Sequence, residues 1–145
     1  MATRIDGLNL LYTYLTGITA LTTETDSRIY GTGGGIPPGI SEPLKMITIA
    51  SDGGPGDPDI PMAMQRFTFS CYGPTLEDAH SVFTVLFDAL HRLGRHEVTI
   101  SGSDVGLLQW AELEMGPADV PEPELGWPRV VCAYRVIFYE RLKSW

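Results

Sequence analysis

The fold is decided by residues 64–79, which read MQRFTFSCYGPTLEDA. In the first half Phe67, Phe69 and Cys71 alternate with polar residues, and a period of two is typical of a strand with one buried face. In the second half Thr75 is a favourable helix N-cap, and two acidic residues follow it in the first turn, where the helix dipole favours them. The stretch therefore predicts a strand that leads through a short turn into a capped helix.

The predicted helix continues to about residue 93, because its apolar residues keep helical spacing. They are Leu76, Ala79, Phe83, Leu86, Leu90 and Leu93. Polar side chains such as Asp88 and His91 take the opposite side, and Gly94 is a suitable C-cap. We expect the apolar stripe to pack on a sheet.

Outside this unit the same periodicities predict the remaining elements. A helix is expected over 6–16, an extended piece over 28–30, and strands over 44–51, 97–101, 107–115 and 129–139. The chain is therefore predicted to be α+β, with an antiparallel sheet of four to five strands and two helices packed on one face. The last strand is apolar on both sides, so we expect either a central strand or one whose second face is covered. One face of the sheet is left for a partner.

The apolar stripe of the first helix is formed by Leu8, Leu11, Tyr12, Leu15 and Ile18. Two residues of this helix, Leu10 and Tyr14, fall beside that stripe. Their side chains are expected either to be exposed, as many apolar side chains are, or to belong to a contact surface. The sequence leaves both interpretations open.

Composition bounds the class of protein. The chain has 145 residues, which suits a single domain over 1–145, and a net charge of −8 with scattered basic residues, which argues against a binder of duplex DNA. No stretch approaches the roughly 20 apolar residues of a membrane span, and no apolar signal core follows Arg4. Two cysteines exclude a disulfide scaffold. We therefore expect a soluble protein of a reducing compartment.

Three segments rich in Gly, Pro and acidic residues punctuate the elements, at about 31–43, 52–61 and 116–128. Their composition is that of loops. The second is longer than a tight turn, so we expect a flexible hairpin arm there. We expect the third to be a long acidic loop between two strands.

No residue pattern indicates a cofactor or a metal. His80, His91 and His96 lack the spacing of zinc ligands, and the aspartates of 52–59 lack the spacing of an EF-hand. The glycines of 31–35 lack the GK[ST] ending of a phosphate-binding loop. We therefore expect neither a cofactor nor a metal.

Both cysteines fit the core better than a nucleophilic site. Cys71 lies in the stripe of Phe67 and Phe69, and Cys132 lies in that of Val130 and Tyr134. Cysteine in such a stripe behaves as a small apolar residue. With no catalytic constellation left, we expect that the chain is not an enzyme.

The motifs follow a recognisable order along the chain. Arg28-Ile29-Tyr30 is followed by the strand over 44–49, by the junction of strand and capped helix over 72–79, and finally by Arg135–Tyr139. This order, over about residues 5–140, resembles the tail-terminator, or tail-completion, proteins of long-tailed bacteriophages. The resemblance implies an α+β fold, a homohexameric ring and a structural role without catalysis or a cofactor.

The same resemblance implies a place in the virion. Such a ring caps the tail tube at full length and offers a docking face to the neck, or stopper, protein on the head side. The implied partners are other copies of the chain, the tail tube protein, that neck protein and, in a contractile tail, the sheath. The implied location is the tail–neck junction, after assembly in the bacterial cytoplasm. DNA passes through without specific binding; six copies at −8 each carry −48, which suits repulsion.

The long loops are then candidates for contacts with neighbouring subunits or the tube. The candidate interface residues are Asp52, Gly53, Gly54, Pro55, Gly56, Asp57, Pro58, Asp59, Trp127 and Trp145. Two alternatives stay open. One is another neck or head-completion protein, such as a stopper or an adaptor. The other is a small cytoplasmic ligand-binding module with a deep apolar pocket under the helix over 76–93.

Overall fold

The chain folds into three helices and one six-stranded sheet in the part that the computed structural model describes, residues 7–31, 35–53, 62–91, 96–101 and 104–140. In chain order the elements are α1 (Gly7–Thr16), α2 (Thr19–Thr25), β1 (Ile29–Tyr30), β2 (Met46–Gly53), β3 (Met62–Tyr72), α3 (Leu76–His91), β4 (His96–Ser101), β5 (Asp104–Asp119) and β6 (Arg129–Glu140). The predicted α+β architecture with a largely antiparallel sheet is confirmed in outline.

The sheet has the strand order β1-β2-β3-β6-β5-β4. Every neighbouring pair is antiparallel except β1 and β2, which are parallel. β6 is central, as predicted, and pairs with β3 from Met62 opposite Tyr139 to Tyr72 opposite Arg129. Apolar residues do not alternate regularly along β5, because its register against β6 shifts three times. The last of these shifts lies around Pro117.

In the described ranges the chain has one strand more than the upper predicted number and one helix more than predicted. The additional short elements are β1, which has only two residues, and α2, which has seven. A two-residue strand is too short to show a periodicity. Five of the seven residues of α2 are Thr or Glu and four are Thr, whose helix propensity is low, so the sequence predicts no more than a turn there.

The sheet curls around the helices, which lie on one of its faces. α3 packs on β3, β5 and β6, and α2 packs on α3. α1 contacts β1 at one edge of the sheet and β4 and β5 at the other. A single helix reaches both edges only when the sheet is strongly curled. The curl brings α1 against two edges that would otherwise be open to pairing with another chain.

The core lies between the helices and this helix face of the sheet. Directly opposed residues form rows across β2, β3 and β6, for example Ile49, Phe69 and Cys132. The Phe69 ring meets the Tyr134 ring edge-on, with 5.7 Å between their centroids. Both cysteines are free and fully buried, and their predicted place in the core is confirmed.

The face that α1 buries is wider than the predicted stripe: Leu11 and Leu15 of the stripe are fully buried, as expected. Leu10 is fully buried, and the Tyr14 hydroxyl donates a hydrogen bond of 3.0 Å to the carbonyl oxygen of Ala89 on α3. Both side chains therefore pack within the chain. Tyr12, which belongs to the predicted stripe, is 37% exposed. The reason is tertiary: α1 lies inside the curl and contacts α2, β1, β4 and β5, and Tyr14 reaches α3, so more than one stripe of the helix is buried.

α3 begins as predicted. The backbone N–H of Asp78 donates to Thr75 Oγ1 at 3.2 Å, which satisfies one of the open donors of the first turn. The stripe is buried between Ala79 and Leu90, but Leu76 is 43% exposed, so the first turn reaches past the core. The predicted end of the helix, at Leu93 and Gly94, lies outside the described residues.

The bounds of two predicted loops change. β2 continues through Asp52 and Gly53, which the sequence assigned to the loop, and residues 54–61 lie outside the described part of the chain. β5 continues through Asp119, so 116–119 are strand residues. Proline is tolerated in this strand because the register shifts around it.

Candidate interaction surfaces

The face of the sheet that points away from the helices is the first candidate surface, and we call it the open face. Directly opposed residues share a face, so the register fixes what it presents. Its central rows are Thr68–Ala133–Met115, Arg66–Arg135–Glu112 and Met64–Ile137–Trp110. Strands β3, β6 and β5 each contribute one residue to every row.

Arg135 is the charged centre of the open face. Its Nε lies 2.9 Å from Glu114 Oε1, one of its terminal nitrogens lies 3.7 Å from Glu112 Oε2, and the other donates to the sulfur of Met64 at 3.6 Å. Arg66 stands directly opposite on β3. Like charges on neighbouring strands repel. The two carboxylates of β5 offset that repulsion and fix the Arg135 side chain.

The open face is buried at one end and exposed at the other. Met46, Thr48 and Tyr72 are fully buried, whereas Trp110 is 49% and Met115 is 37% exposed. A solvated sheet face carries polar residues at such positions. Large exposed apolar side chains on one face are typical of a surface that contacts another molecule.

The second candidate surface is the end of the β5–β6 hairpin, residues 120–128, which we call the hairpin end. Its chain is closed by backbone hydrogen bonds: Val120 N–H donates to Arg129 O at 3.1 Å, and Glu122 N–H donates to Trp127 O at 3.0 Å. Gly126 has a positive φ of 68°, which favours glycine, and donates to Glu122 O at 2.8 Å. The segment that the sequence assigned to a long loop is thus an ordered turn.

Side chains reinforce this turn. Glu122 Oε2 accepts hydrogen bonds from the backbone N–H groups of Glu124 and Leu125. Arg129 Nε donates to Val120 O at 2.8 Å, across the base of the turn. The hairpin end therefore has a defined shape in the isolated chain.

The hairpin end combines exposed apolar and acidic groups. Leu125 is 54% and Val120 is 42% exposed, and Trp127 is half-buried. Four carboxylates belong to this end of the hairpin or to the strand leading into it: Glu114, Asp119, Glu122 and Glu124. His80 on α3 lies 2.6 Å from Asp119 and ties the base of the hairpin end to the helix layer.

A shallow groove of about 220 Å³ lies on the outer side of α1. It is lined by Leu8, Asn9, Tyr12 and Gly31. The groove is wide open, and it does not lie under α3, where a ligand-binding module would need its deep pocket.

The interface residues predicted from the sequence fall into three groups. Asp52 and Gly53 end β2. Trp127 lies in the hairpin end, where its carbonyl oxygen closes the turn. Residues 54–59 and Trp145 lie outside the described part of the chain. No contact is described among these three groups.

The sequence predicts that one face of the sheet is left for a partner, but it identifies neither the residues of that face nor the exposed apolar side chain of Leu125. The face depends on which residues of β3, β6 and β5 stand opposite one another, and the bulges of β5 hide that register. Val120 and Leu125 are isolated apolar residues in a proline-rich segment. Two isolated residues are too few to form a pattern that predicts an exposed apolar surface.

Burial argues against thiol chemistry at both cysteines. It raises the pKa of Cys132 to about 12 and raises the pKa of Cys71 well above its ordinary value. Both thiols therefore stay protonated at neutral pH, and a protonated buried thiol is a poor nucleophile.

Two kinds of feature are absent among the residues that the structure describes. Within them no three His, Cys, Asp or Glu side chains converge to hold a metal ion. None of the described helices has the length and apolar character needed to cross a membrane.

Comparison with known proteins identifies the fold. No family model matches the chain, and no curated protein matches it significantly. Among solved structures, it is similar to a chain in a structure titled "Virion of native gene transfer agent (GTA) particle", with a TM-score of 0.66 and 16% sequence identity. The match covers 92% of this chain and 94% of that chain. At this identity the likeness establishes a shared fold.

Proposed function

We propose that this chain is a structural protein of a phage-like virion, which forms a homohexameric ring, caps the tail tube and joins the tail to the neck on the head side. The observation that carries the proposal is the fold likeness, over 92% of the chain, to a chain of a gene transfer agent virion. The order of sequence motifs that resembles tail-terminator proteins supports the narrower role at the tail–neck junction.

The proposed partners follow from that role. They are other copies of the chain, the tail tube protein, the neck or stopper protein and, in a contractile tail, the sheath. DNA passes through the lumen without specific binding. The net charge of −8 per chain supports this part of the proposal, because phosphate affinity depends on clustered cations.

A closed ring needs two different surfaces on each subunit, since every subunit meets its two neighbours through unlike faces. We assign one of them to the open face, where Trp110 and Met115 are exposed beside the charged cluster of Arg135. We assign the other to residues 52–59, the arm predicted from the sequence, of which Asp52 and Gly53 end β2. Trp127 and Trp145 remain candidates for contacts with the tube or the neck.

The proposed role requires no reaction. The two thiols are buried and protonated, and the ionic contacts of His80 and Arg135 described above are made to groups of the fold itself. Such a protein acts by shape and by the surfaces it offers.

The proposal is tested by deleting residues 54–59, which leaves β2 intact through Gly53. We expect a protein that folds, by circular dichroism, but yields particles whose tails are not capped and not joined to heads in electron micrographs. Leu76→Ser, which removes an exposed apolar side chain far from both proposed surfaces in sequence, is the matched control and should assemble normally. Tails of normal length joined to heads in the deletion variant would contradict the assigned role of the arm.

A second candidate is another neck protein, because the likeness concerns a virion chain and not a named component. Removing the whole protein separates the two. Loss of a tube cap leaves tails of uncontrolled length, whereas loss of a neck protein alone leaves tails of normal length. Particles that are complete without this chain would reject both.

A further inference from the structure

We infer that neighbouring copies of this chain are joined by backbone hydrogen bonds between two edge stretches, Ile49–Ser51 of β2 in one copy and Trp110–Leu113 of β5 in the next. This inference rests on the proposed function, because it takes the homohexameric ring as its premise. It adds the segments that meet, the kind of bond that joins them and the direction in which they run.

The outer edge of β2 is open beyond its first residues. β1 pairs with β2 only at Ile47 and Thr48, so within the described residues the rest of β2 has no strand partner on that side. Ile47 N–H donates to Arg28 O at 3.0 Å, which shows that the backbone groups of Ile47 point outward. Because backbone groups alternate in direction along a strand, those of Ile49 and Ser51 point outward too.

The outer edge of β5 is open over a longer stretch. β4 pairs with β5 only as far as Leu108, so in the described ranges residues 109–119 are paired on the β6 side alone. None of these residues is buried. Such an edge presents a row of backbone N–H and C=O groups, which an extended chain satisfies by adding a strand.

α1 is too short to cover both edges over their full length. Its 10 residues span about 15 Å, whereas the 16 residues of β5 span about 50 Å. The two short edge strands also stand at opposite ends of β6, since β1 is level with Val130 and Val131 and β4 is level with 138–140. Each edge strand therefore leaves the other end of its neighbouring strand uncovered.

One chain carries both halves of the proposed contact. The open stretches lie on opposite sides of the sheet, β2 beside β3 and β5 beside β6, and a closed ring joins two unlike surfaces of this kind. β2 and β5 run in opposite directions, because each successive pair from β2 through β3 and β6 to β5 is antiparallel. When the sheet continues from copy to copy, β2 and β5 are therefore antiparallel, the more stable arrangement per residue.

The bulges of β5 set the length of the contact. The register against β6 shifts between Leu108 and Trp110 and again between Leu113 and Met115, and the stretch between these shifts is regular. Bulges end pairing and turn an edge away from open-ended association. The contact is therefore limited to Trp110–Leu113.

The same contact brings together the two surfaces proposed for the ring. In a continuous sheet the open faces of both copies lie on one side, so the half-exposed Trp110 side chain comes near Ala50 of the neighbouring copy. Ala50 lies opposite Thr68 on the open face, and its small side chain leaves room for an indole ring. Residues 52–59 follow directly, so the predicted arm begins beside the open face of the neighbouring copy.

The inference is tested by oxidative crosslinking of Ala50→Cys with Glu112→Cys, introduced together, in assembled particles. Both positions lie on the open face. Within one chain they are separated by β3 and β6, about 14 Å over three strand spacings, which a disulfide does not span. Ala50→Cys with Trp110→Cys covers the alternative register. We expect at least one of the two pairs to give a ladder of linked copies that ends at the hexamer.

The controls separate this contact from random collisions. Each single variant should give no ladder, because the contact joins unlike positions and both natural thiols are buried. Leu76→Cys with Glu112→Cys, which places one thiol at an exposed site on α3, should give none either.

A second experiment removes one outward N–H group. Ser51→Pro deletes a donor that points away from β3, and proline is tolerated at such edge positions. The variant should fold, by circular dichroism, but its yield of rings should fall roughly tenfold. Ser51→Ala keeps the N–H group and should change the yield by less than about twofold.

Three results would overturn the inference and leave the proposed ring standing. They are rings that give no ladder with either pair, adducts with a different virion protein instead of a second copy, and a normal yield of rings from Ser51→Pro. If purified particles lack the chain, or contain it without a ring, the proposed function itself fails.

Discussion

His80 on α3 and Asp119 at the end of β5 meet at 2.6 Å, between Nε2 and Oδ1. The contact joins elements that are 39 residues apart in sequence, and it sits at the base of the hairpin end. The two side chains are 43% and 52% exposed, so solvent screens the pair and its contribution to global stability is small. Its consequence is local: it fixes the direction in which the hairpin end leaves the sheet.

Asp119→Asn tests this link. We expect the free energy of unfolding to fall by less than about 1 kcal/mol, because exposed ion pairs contribute little. Amide hydrogen exchange over 118–122 should rise, because the strand end loses its tie to α3. Glu77→Gln, which removes a carboxylate from the first turn of α3, is the control. Unchanged exchange over 118–122 would mean that the backbone ladder alone holds the hairpin.

Gly73 permits the close approach of β3 and α3. A Cβ at this position would lie 2.6 Å from the backbone nitrogen of Ala79 and 2.7 Å from Asp78 Cβ. Gly73→Ala should therefore destabilise the protein by about 1–3 kcal/mol in urea unfolding, since the helix itself would have to shift. At Gly116, no atom lies within 4 Å of such a Cβ. Gly116→Ala is the control and should change stability by no more than about 0.5 kcal/mol. Equal effects would show that the junction is loosely packed.

Glu24 ties three segments together. Its Oε1 accepts hydrogen bonds from Lys45 Nζ at 2.9 Å and Ser81 Oγ at 2.8 Å, which joins α2, the approach to β2 and α3. The hydrogen bond from Lys45, followed by that from Ser81, lowers the pKa of this carboxyl. A lowered pKa in the folded state stabilises the protein above the ordinary pKa, and this contribution is lost as the pH falls through the folded value.

The substitution Glu24→Gln tests this pH dependence of stability. At pH 7 we expect a loss of about 0.5–1 kcal/mol, because the side chain is largely shielded and its charge-assisted hydrogen bonds are weakened. The difference from the original protein should begin to shrink as the pH falls below the ordinary pKa of a glutamate, about 4.3, and should vanish only below the lowered folded value. Thermal unfolding at pH 7, 5 and 3.5 measures it, with Glu77→Gln as the control. A loss that stays constant over this range would assign the effect to packing.

The strand–turn–helix unit over 64–91 was predictable because its signals are local. The alternation of Phe67, Phe69 and Cys71 and the cap at Thr75 depend only on neighbours in sequence, and both are found in the structure. The burial of Leu10 was not predictable in this way. It depends on contacts between elements that are distant in sequence, such as those of α1 with β4 and β5, and the Tyr14–Ala89 hydrogen bond, 75 residues apart, is another contact of this kind.

The hairpin end illustrates a different limit. Four prolines, at 117, 121, 123 and 128, favour a loop by composition. The donors that close the turn are the N–H groups of Val120, Glu122 and Gly126, and prolines occupy positions between them. The proline content therefore correctly predicts that the β5–β6 hydrogen-bond ladder is interrupted here. It does not predict the hydrogen bonds that Val120, Glu122 and Gly126 donate. A sheet face left for a partner was expected, but the residues that form it were not, since the bulges of β5 set its register.

Because Cys132 is buried, we expect the free energy of unfolding to depend on pH above about pH 9. Burial raises the pKa of Cys132 to about 12, whereas an unfolded thiol ionises near 8.5. The unfolded chain therefore loses this proton first, and the free energy of unfolding should fall by up to about 1.4 kcal/mol per pH unit for this group between pH 9 and its folded pKa. Cys132→Ala should flatten that slope by about this amount in urea unfolding at pH 8, 9 and 10, although it costs stability at every pH through the cavity. Val130→Ala, a buried truncation on the same strand without an ionisable group, should keep the original slope. If both variants keep it, Cys132 does not titrate differently in the folded and unfolded states.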